Sequence, residues 1–220
     1  KDGEGQVVLL EGEPGIGKSR ITQVLRERLA DEPHTRLRYQ CSPYYANSAL
    51  NPFIRQLERA AEIDPGDDDG AKLDKLEALL RQGGDDLAFS VPVTALLLSI
   101  PFEGRYGALA LTPQQIKQRT MEVLIGQLFG LAAKKPVIFL FEDAQWIDPT
   151  SLEMLELTLQ RAGQSPVLFV ITHRPEWQAP FANHANATSL RLNRLGRQHI
   201  AAFVRNIAES SVPESLIERV

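Results

Sequence analysis

A single stretch decides the fold of this chain: Gly12-Glu13-Pro14-Gly15-Ile16-Gly17-Lys18-Ser19, with the spacing G-x-x-x-x-G-K-S. An apolar run of strand type, Gln6–Leu10, comes directly before it, and apolar residues at helical spacing follow it up to Pro33. A strand, a glycine-rich turn and a helix that opens on Lys-Ser are the parts of a phosphate-binding loop. Glycine adopts backbone angles closed to other residues, which lets the N–H groups of such a loop converge on phosphate oxygens.

The loop residues have separate expected roles. Lys18 is expected to reach the β- and γ-phosphates of a nucleotide, and the Ser19 hydroxyl is expected to bind Mg²⁺. The start of the following helix adds attraction for an anion. The predicted nucleotide-binding residues are Gly12, Glu13, Pro14, Gly15, Ile16, Gly17, Lys18, Ser19 and Arg20.

Composition narrows the class of protein. A length of 220 residues suits one sizeable core, or one domain with part of a second. The net charge of −4 gives no support for a broad nucleic-acid-binding surface. No apolar run approaches the roughly 20 residues that span a bilayer, and the charged start is not a secretion signal. The single Cys41 excludes an internal disulfide, which suits a reducing compartment, so we predict a cytoplasmic protein.

Further strands are predicted along the chain. Thr35–Cys41 alternates apolar with polar residues, while Val137–Phe141 and Val167–Ile171 are continuous apolar runs, as expected for central parallel strands buried on both faces. Ser189–Leu192 is a short fifth candidate. Strands that alternate with helices predict an α/β domain with a parallel sheet.

A helical insertion, about residues 48–133, separates the second and third strands. Asn51-Pro52 predicts a helix start with Asn51 as its cap, and a helix from about Lys72 is expected to end at Gly83-Gly84. Val91–Ile100 is interpreted as a buried helix, with a strand as the alternative that periodicity leaves open. Thr112 opens a capping box, and its helix is expected to run to about Ala133.

Three more helices are predicted after the third strand. Thr150-Ser151-Leu152-Glu153 is interpreted as a second capping box that opens a helix. Helices are also expected around Ile200 and from Pro213 onward. We therefore predict an ATPase domain over 1–195 and the start of a helical lid over 196–220.

Polar residues follow two of the predicted strands where they end. Glu142-Asp143 comes after the third strand, and Thr172-His173-Arg174 follows the fourth. Ligands of open parallel sheets bind beyond the carboxyl ends of the strands. Phosphoryl transfer needs an acid for Mg²⁺, a group that orients water and a cation for developing charge. The predicted catalytic residues are therefore Glu142, Asp143 and Arg174, with Ser19, Glu142 and Asp143 as metal ligands. The alternatives are that the acids cap a helix or face solvent, and that Arg174 is a surface residue or ion-pair partner.

Several neighbouring residues have simpler interpretations. Trp146 is interpreted as packing, and Asp148 as a residue at a helix start. Nothing in the spacing gives His173 an acid–base role. The acidic stretch 64–70 lacks a glutamate at EF-hand spacing, so it is interpreted as a solvated loop rather than a calcium site. No Asn-Lys-x-Asp motif for guanine occurs, so ATP is preferred to GTP.

Four motifs occur in an order that resembles the AAA-like and STAND ATPase modules of bacterial signalling proteins. Gly12–Arg20 resembles their first motif, and Phe141–Leu152 resembles their second motif of strand, acidic pair and x-H-W-x-D-x-x-S-L. Thr172–Glu176 is similar to their fourth-strand arginine motif, and Leu190–Leu195 resembles the segment that leads into their lid. The likeness is greatest to ATPase regions attached to class III adenylate/guanylate cyclases, with large ATP-binding LuxR-type regulators as neighbours.

The resemblance implies a P-loop NTPase of the ASCE type, with a five-stranded sheet in the order 5-1-4-3-2. It implies ATP or ADP with Mg²⁺, and a nucleotide state that controls homo-oligomeric assembly or an attached effector domain. Three positions depart from the pattern: Glu142 replaces an aspartate, Gln145 a histidine, and His173 a tyrosine. The first leaves open whether Glu142 or Asp143 holds the metal, and slow hydrolysis is expected.

The resemblance also bears on the ends of the chain. An adenine-binding segment before the first strand and a Gly-x-Pro element of the lid are expected to lie outside these residues. No cyclase or DNA-binding effector domain is expected within them. The function predicted is a slowly hydrolysing ATPase module, and the alternatives are a non-hydrolysing nucleotide-gated module and a scaffold with a vestigial loop.

Overall fold

Five parallel strands form one sheet in the computed structural model, which describes residues 3–84 and 86–194. The strands are β1 Gln6–Glu11, β2 Thr35–Gln40, β3 Val137–Glu142, β4 Val167–His173 and β5 Ala187–Arg191. Their order across the sheet is β2-β3-β4-β1-β5, and every neighbouring pair is parallel. The predicted α/β class and the order 5-1-4-3-2 are confirmed.

Seven α-helices accompany the strands within the described ranges. They are α1 Lys18–Arg28, α2 Asn51–Ala60, α3 Asp69–Gly83, α4 Leu87–Leu97, α5 Glu103–Tyr106, α6 Pro113–Ala132 and α7 Pro149–Arg161. The stretch left open between helix and strand is helix α4, whereas the short α5 has no counterpart in the predictions. None of these helices is long and apolar enough to cross a membrane. The predicted helices around Ile200 and from Pro213, and the domain boundary at 195, lie outside the described residues.

The two faces of the sheet have different partners. One face buries Leu37 and Tyr39 of β2 with the phenylalanines of β3 and β4, and α2, α6 and α7 pack on it. The ring of Tyr39 stacks on that of Phe139 with centroids 4.4 Å apart. Arg36 and Arg38 alternate with these residues and point to the other face, where they line a cleft against α1. The predicted alternation of β2 is confirmed.

Two helix starts differ from the predictions. The cap of α2 is Leu50 in a left-handed conformation, with φ 56°, and Asn51 is already helical. The cap of α7 is Asp148, whose Oδ1 accepts from the N–H groups of Thr150 and Ser151, so the predicted Thr150 cap is wrong. Proline at the first helical position places the cap one residue earlier, at Asp148. The interpretation of Asp148 as a helix-start residue is confirmed, and its Oδ1 also accepts from the Leu50 N–H at 3.4 Å.

The capping box of Thr112 with Gln115 is present, and α6 begins as predicted. Helix α3 ends at Gly83 and is capped by Gly84, which has φ 81°. Helices α3 and α6 cross so closely that a Cβ on Gly130 would lie 1.8 Å from the carbonyl oxygen of Gly83. Small residues at this crossing are therefore required by sterics.

A second, smaller core lies inside the insertion. It is formed by buried residues of α3, α4 and the segment after α4: Leu73, Leu76, Leu80, Val91, Ala95, Ile100 and Phe102. At its edge the carboxylate of Glu77 accepts from the Tyr106 hydroxyl at 2.7 Å and from Arg105 at 2.8 Å. The Tyr106 hydrogen bond is the largest cause that lowers the pKa of Glu77, Arg105 adds to it, and burial opposes it.

Candidate functional site

The loop Gly12–Ser19, called the phosphate loop below, joins β1 to α1 in the geometry expected of it. The Gly12 N–H donates to the carbonyl of His173 on β4, which fixes the start of the loop to the centre of the sheet. A Cβ on Gly12 would lie 2.6 Å from Ile16 Cγ2, so a side chain does not fit there. Gly17 has φ 110° at the cap of α1, a conformation that favours glycine.

Lys18 is folded over its own loop. Its Nζ donates to the carbonyl of Gly12 at 2.5 Å and to that of Glu13 at 3.1 Å, and the residue is 9% exposed. Burial lowers the pKa of the Lys18 ammonium below its ordinary value; the carboxylate of Asp143 opposes this shift, and the guanidinium of Arg174 adds to it. The Gly12–His173 hydrogen bond ties the phosphate loop to the end of β4, and the Thr172 hydroxyl ties Asp143 to the same strand end. Lys18, Asp143 and Arg174 therefore belong to segments that meet at one edge of the sheet.

Ser19 and Glu142 both line the cleft between α1 and the sheet. This cleft, called the α1 cleft below, has a volume of about 270 Å³ and is also lined by Arg26, Arg36 and Arg38. Asp143 is not among the residues that line it. The two acids of the pair therefore face different surroundings: Glu142 shares the α1 cleft with Ser19, and Asp143 acts on the ammonium of Lys18.

Glu142 is paired with an arginine that the sequence did not single out. The Nε of Arg38 donates to Glu142 Oε2 at 2.6 Å across neighbouring strands, 104 residues apart in the chain. The Glu142 side chain is 9% exposed and that of Arg38 is 51% exposed. A carboxylate predicted to bind Mg²⁺ is thus held by a guanidinium at the solvent side of the α1 cleft.

Asp143 sits in a hydrogen-bond network at the ends of β3 and β4. Its backbone is left-handed, with φ 59°, and its N–H donates to the Thr172 hydroxyl at 3.1 Å. Gln145 Nε2 donates to Asp143 Oδ1 at 3.3 Å, while Gln145 Oε1 accepts from the N–H of Arg174 at 3.2 Å. Left-handed residues that are not glycine cost strain and occur at functional sites. This strain and the network orient the Asp143 carboxylate.

Arg174 is neither free nor deeply buried. Its guanidinium carbon lies 5.5 Å from the centroid of the Trp146 ring. Its Nη1 lies 3.7 Å from Glu176 Oε1, and its side chain is 33% exposed. Trp146 packs against the main core, as predicted, and it carries this contact as well.

Two other singled-out residues have structural contacts. His173 is 4% exposed; its Nδ1 donates to the Arg174 carbonyl at 2.9 Å, which assigns a hydrogen to that nitrogen. Its ring meets that of Trp177 edge-on, with centroids 5.2 Å apart. Arg20 is exposed, and its guanidinium lies 3.6 Å from Glu27, two turns further along α1.

Sequence reasoning missed Arg38, Thr172 and Gln145 as parts of the site. The position of Arg38 could have been predicted. It lies two residues before Gln40, which pairs with Glu142, so both side chains lie on the same face of the sheet. Nothing in the sequence marks a glutamine as the link between Asp143 and Arg174, because its partners are set by the turn that follows β3.

The donor set fits Mg²⁺ bound together with a phosphate. Among residues 3–84 and 86–194, no group of three or more His, Cys, Asp or Glu side chains is gathered to hold a metal ion. Mg²⁺ in phosphate sites uses one or two carboxylates, substrate oxygens and several waters, so a protein cage is not needed. The hydroxyl of Ser19 and the carboxylate of Glu142, in one cleft, are oxygen donors of that kind.

Comparison with known proteins gives the family of the chain. Residues 1–171 match the family described as AAA ATPase domain. An uncharacterised protein of Rhizobium meliloti (strain 1021) is 31% identical over 193 residues, which cover 88% of this chain and 18% of that protein. The chain thus spans less than a fifth of the length of this relative.

Two solved structures with some similarity are ATPases of different kinds. One is a STAND protein with a tetratricopeptide repeat sensor from Pyrococcus horikoshii: 16% identity, TM-score 0.40, over 98% of this chain and 25% of that chain. Another is a nucleotide-free ATP-binding cassette from an ABC transporter: 15% identity, TM-score 0.37, over 94% of this chain and 87% of that chain.

The parallel sheet, the phosphate loop and the family match define a P-loop ATPase module. The chain belongs to the family of AAA ATPase domains.

Proposed function

We propose that this chain is the nucleotide-binding module of a larger cytoplasmic bacterial signalling protein, in which bound ATP or ADP controls assembly or an attached effector domain. Lys18 and the N–H groups of the phosphate loop hold the phosphates. Ser19 and Glu142 hold Mg²⁺, and Asp143 orients the attacking water. The adenylate/guanylate cyclase-like proteins are the preferred setting, and LuxR-type regulators are the alternative.

One observation carries the proposal. Lys18 is buried over the phosphate loop, and it shares its electrostatic surroundings with Asp143 and Arg174 from two other strand ends. Burying an ammonium is costly, and the charges that act on it are the guanidinium of Arg174 and the carboxylates of Asp143, Glu13 and Glu176. A site of this kind favours a polyanion with a metal ion, because the phosphates compensate the cations and the metal compensates the acids.

Calorimetry of the 220-residue chain tests the proposal. We expect Mg²⁺-dependent binding of ADP and of a non-hydrolysable ATP analogue, and we expect Lys18→Ala to weaken it at least tenfold. Lys134→Ala, in the turn after α6, is the control and should bind as the unchanged chain does. Equal affinity in Lys18→Ala and the unchanged chain would refute the proposed site.

A second candidate function has its own observation. The pairing of Glu142 with Arg38 occupies the carboxylate that we assign to Mg²⁺, and this favours a module that binds nucleotide and hydrolyses it slowly or not at all. Single-turnover measurements separate the two. Phosphate release that Asp143→Asn and Glu142→Gln both reduce supports hydrolysis; no release over hours supports a non-hydrolysing switch.

A further inference from the structure

The side chain and the backbone of Arg174 are held by different groups. The backbone N–H is fixed by Gln145, which also donates to Asp143. The guanidinium has only the Trp146 ring at 5.5 Å and the Glu176 carboxylate at 3.7 Å among its described charged and aromatic contacts. Gln145 and Trp146 belong to the same short turn after β3.

The contacts of the guanidinium are weak enough to be exchanged. A cation over an aromatic ring within about 6 Å contributes modestly at exposed sites, and the Glu176 side chain is 63% exposed, so water and salt screen it. A phosphate attracts a guanidinium more strongly, through charge-assisted and often bidentate hydrogen bonds. The guanidinium of Arg174 can therefore leave the Trp146 ring at a small cost in free energy.

Such a phosphate would arrive nearby. Arg174 directly follows His173, whose carbonyl accepts from the Gly12 N–H at the start of the phosphate loop. Its guanidinium is also one of the charges that lower the pKa of Lys18. The exposed third of its side chain leaves room for a change of rotamer. Because Gln145 fixes the backbone, such a change moves the guanidinium without moving β4.

We infer that Trp146 is a positioning residue: its ring is a seat that holds the guanidinium of Arg174 beside the phosphate loop and releases it to the terminal phosphate of ATP. While the guanidinium moves, the hydrogen bonds of Gln145 keep the backbone of Arg174 and the carboxylate of Asp143 in place. The inference rests on the proposed nucleotide binding and adds to it a means of distinguishing ATP from ADP.

Tryptophan fluorescence tests the seat. The chain has two tryptophans, so Trp177→Phe leaves Trp146 as the only one. With Mg²⁺ and a non-hydrolysable ATP analogue at saturation we expect an emission change at least threefold larger than with ADP. Arg174→Met keeps a long apolar side chain without the charge; it should alter the emission of the free protein and abolish the response to the analogue. Arg119→Met is the matched control, since Arg119 lies 5.4 Å over the ring of Phe89 in the insertion.

Affinities test the direction of the effect. Trp146→Leu removes the seat, so we expect the affinity for the ATP analogue, divided by that for ADP, to rise about two- to fivefold. Trp146→Phe keeps a ring of weaker attraction and serves if the leucine variant does not fold; its ratio should rise less. A fall of the ratio would show that the ring holds Arg174 in its working position, and it would overturn the inference.

The outcomes separate this inference from the proposed function. If neither nucleotide binds the unchanged chain, the proposed function fails and the seat with it. A different outcome refutes the seat alone: both nucleotides bind, Lys18→Ala weakens their binding, and the ATP analogue changes the Trp146 emission as much in Arg174→Met as in the protein with Arg174.

Discussion

The ion pair of Arg38 with Glu142 contributes to stability by an amount that can be estimated from the burial of the two side chains. We expect Arg38→Met to lower the free energy of unfolding, because it leaves the 9% exposed Glu142 carboxylate without its cation. Fully buried charges that lose their partner cost about 3–5 kcal/mol, while exposed pairs contribute about 0.2–1 kcal/mol. Arg38 is 51% exposed, so the value falls between these limits, at about 1–2 kcal/mol.

The measurement is urea unfolding at neutral pH without nucleotide, in a double-mutant cycle. Arg38→Met should cost about 1–2 kcal/mol with Glu142 present and less than about 0.5 kcal/mol in the Glu142→Gln background. Thermal unfolding should show a matching loss of roughly 2–8 °C.

Arg36→Met is the matched control. Arg36 lies on the same face of β2 and lines the α1 cleft, but the guanidinium that pairs with Glu142 belongs to Arg38. The charge change is the same, so an equal effect of both arginine substitutions would mean that net charge, not the ion pair, is responsible. An Arg38→Met cost that is unchanged in the Glu142→Gln background would refute the reasoning.

Three further predictions concern the insertion and the helix starts. The pKa of Glu77 is held below its ordinary value, so this carboxylate contributes stability above about pH 4.5 that is lost as pH falls through its lowered pKa. Glu77→Gln should therefore flatten the loss of thermal stability as the pH falls below about 4.5. Asp148→Ala should cost about 2–3 kcal/mol in urea unfolding, because it removes the cap of a helix and leaves buried N–H groups unpaired; a cost below about 0.5 kcal/mol would contradict this. Gly130→Ala should cost about 1–3 kcal/mol through its clash with Gly83, whereas Gly104→Ala, with nothing within 4 Å, should be nearly neutral by the same measurement.

The central strands and the phosphate loop could be predicted because their signals are local. A continuous apolar run such as Val137–Phe141 identifies a buried strand, and the spacing of Gly12 to Ser19 identifies the loop between β1 and α1. The strand order was expected from family resemblance, and the sheet confirms it. The cap Thr112, which stands directly before Pro113 at the first helical position, is also predicted correctly.

The contacts that the sequence did not predict join residues far apart in the chain. Leu50 takes a left-handed conformation at the start of α2, where its N–H meets Asp148, and no local pattern contains that partner. Arg38 was assigned only as the polar half of an alternation, because its carboxylate partner lies on another strand.

The position of the insertion has a consequence for the order of folding. Thr35 pairs with Val137, so joining β2 to β3 closes a loop of about 100 residues, at an entropic cost of about 4 kcal/mol beyond a constant term. The second core inside the insertion draws on α3 and α4, which are neighbours in the chain, and local contacts form early. A loop that has already folded brings its ends closer than a random chain does. We therefore expect the insertion to fold before the sheet closes, and the Arg38–Glu142 pair in the α1 cleft to form only with that closure.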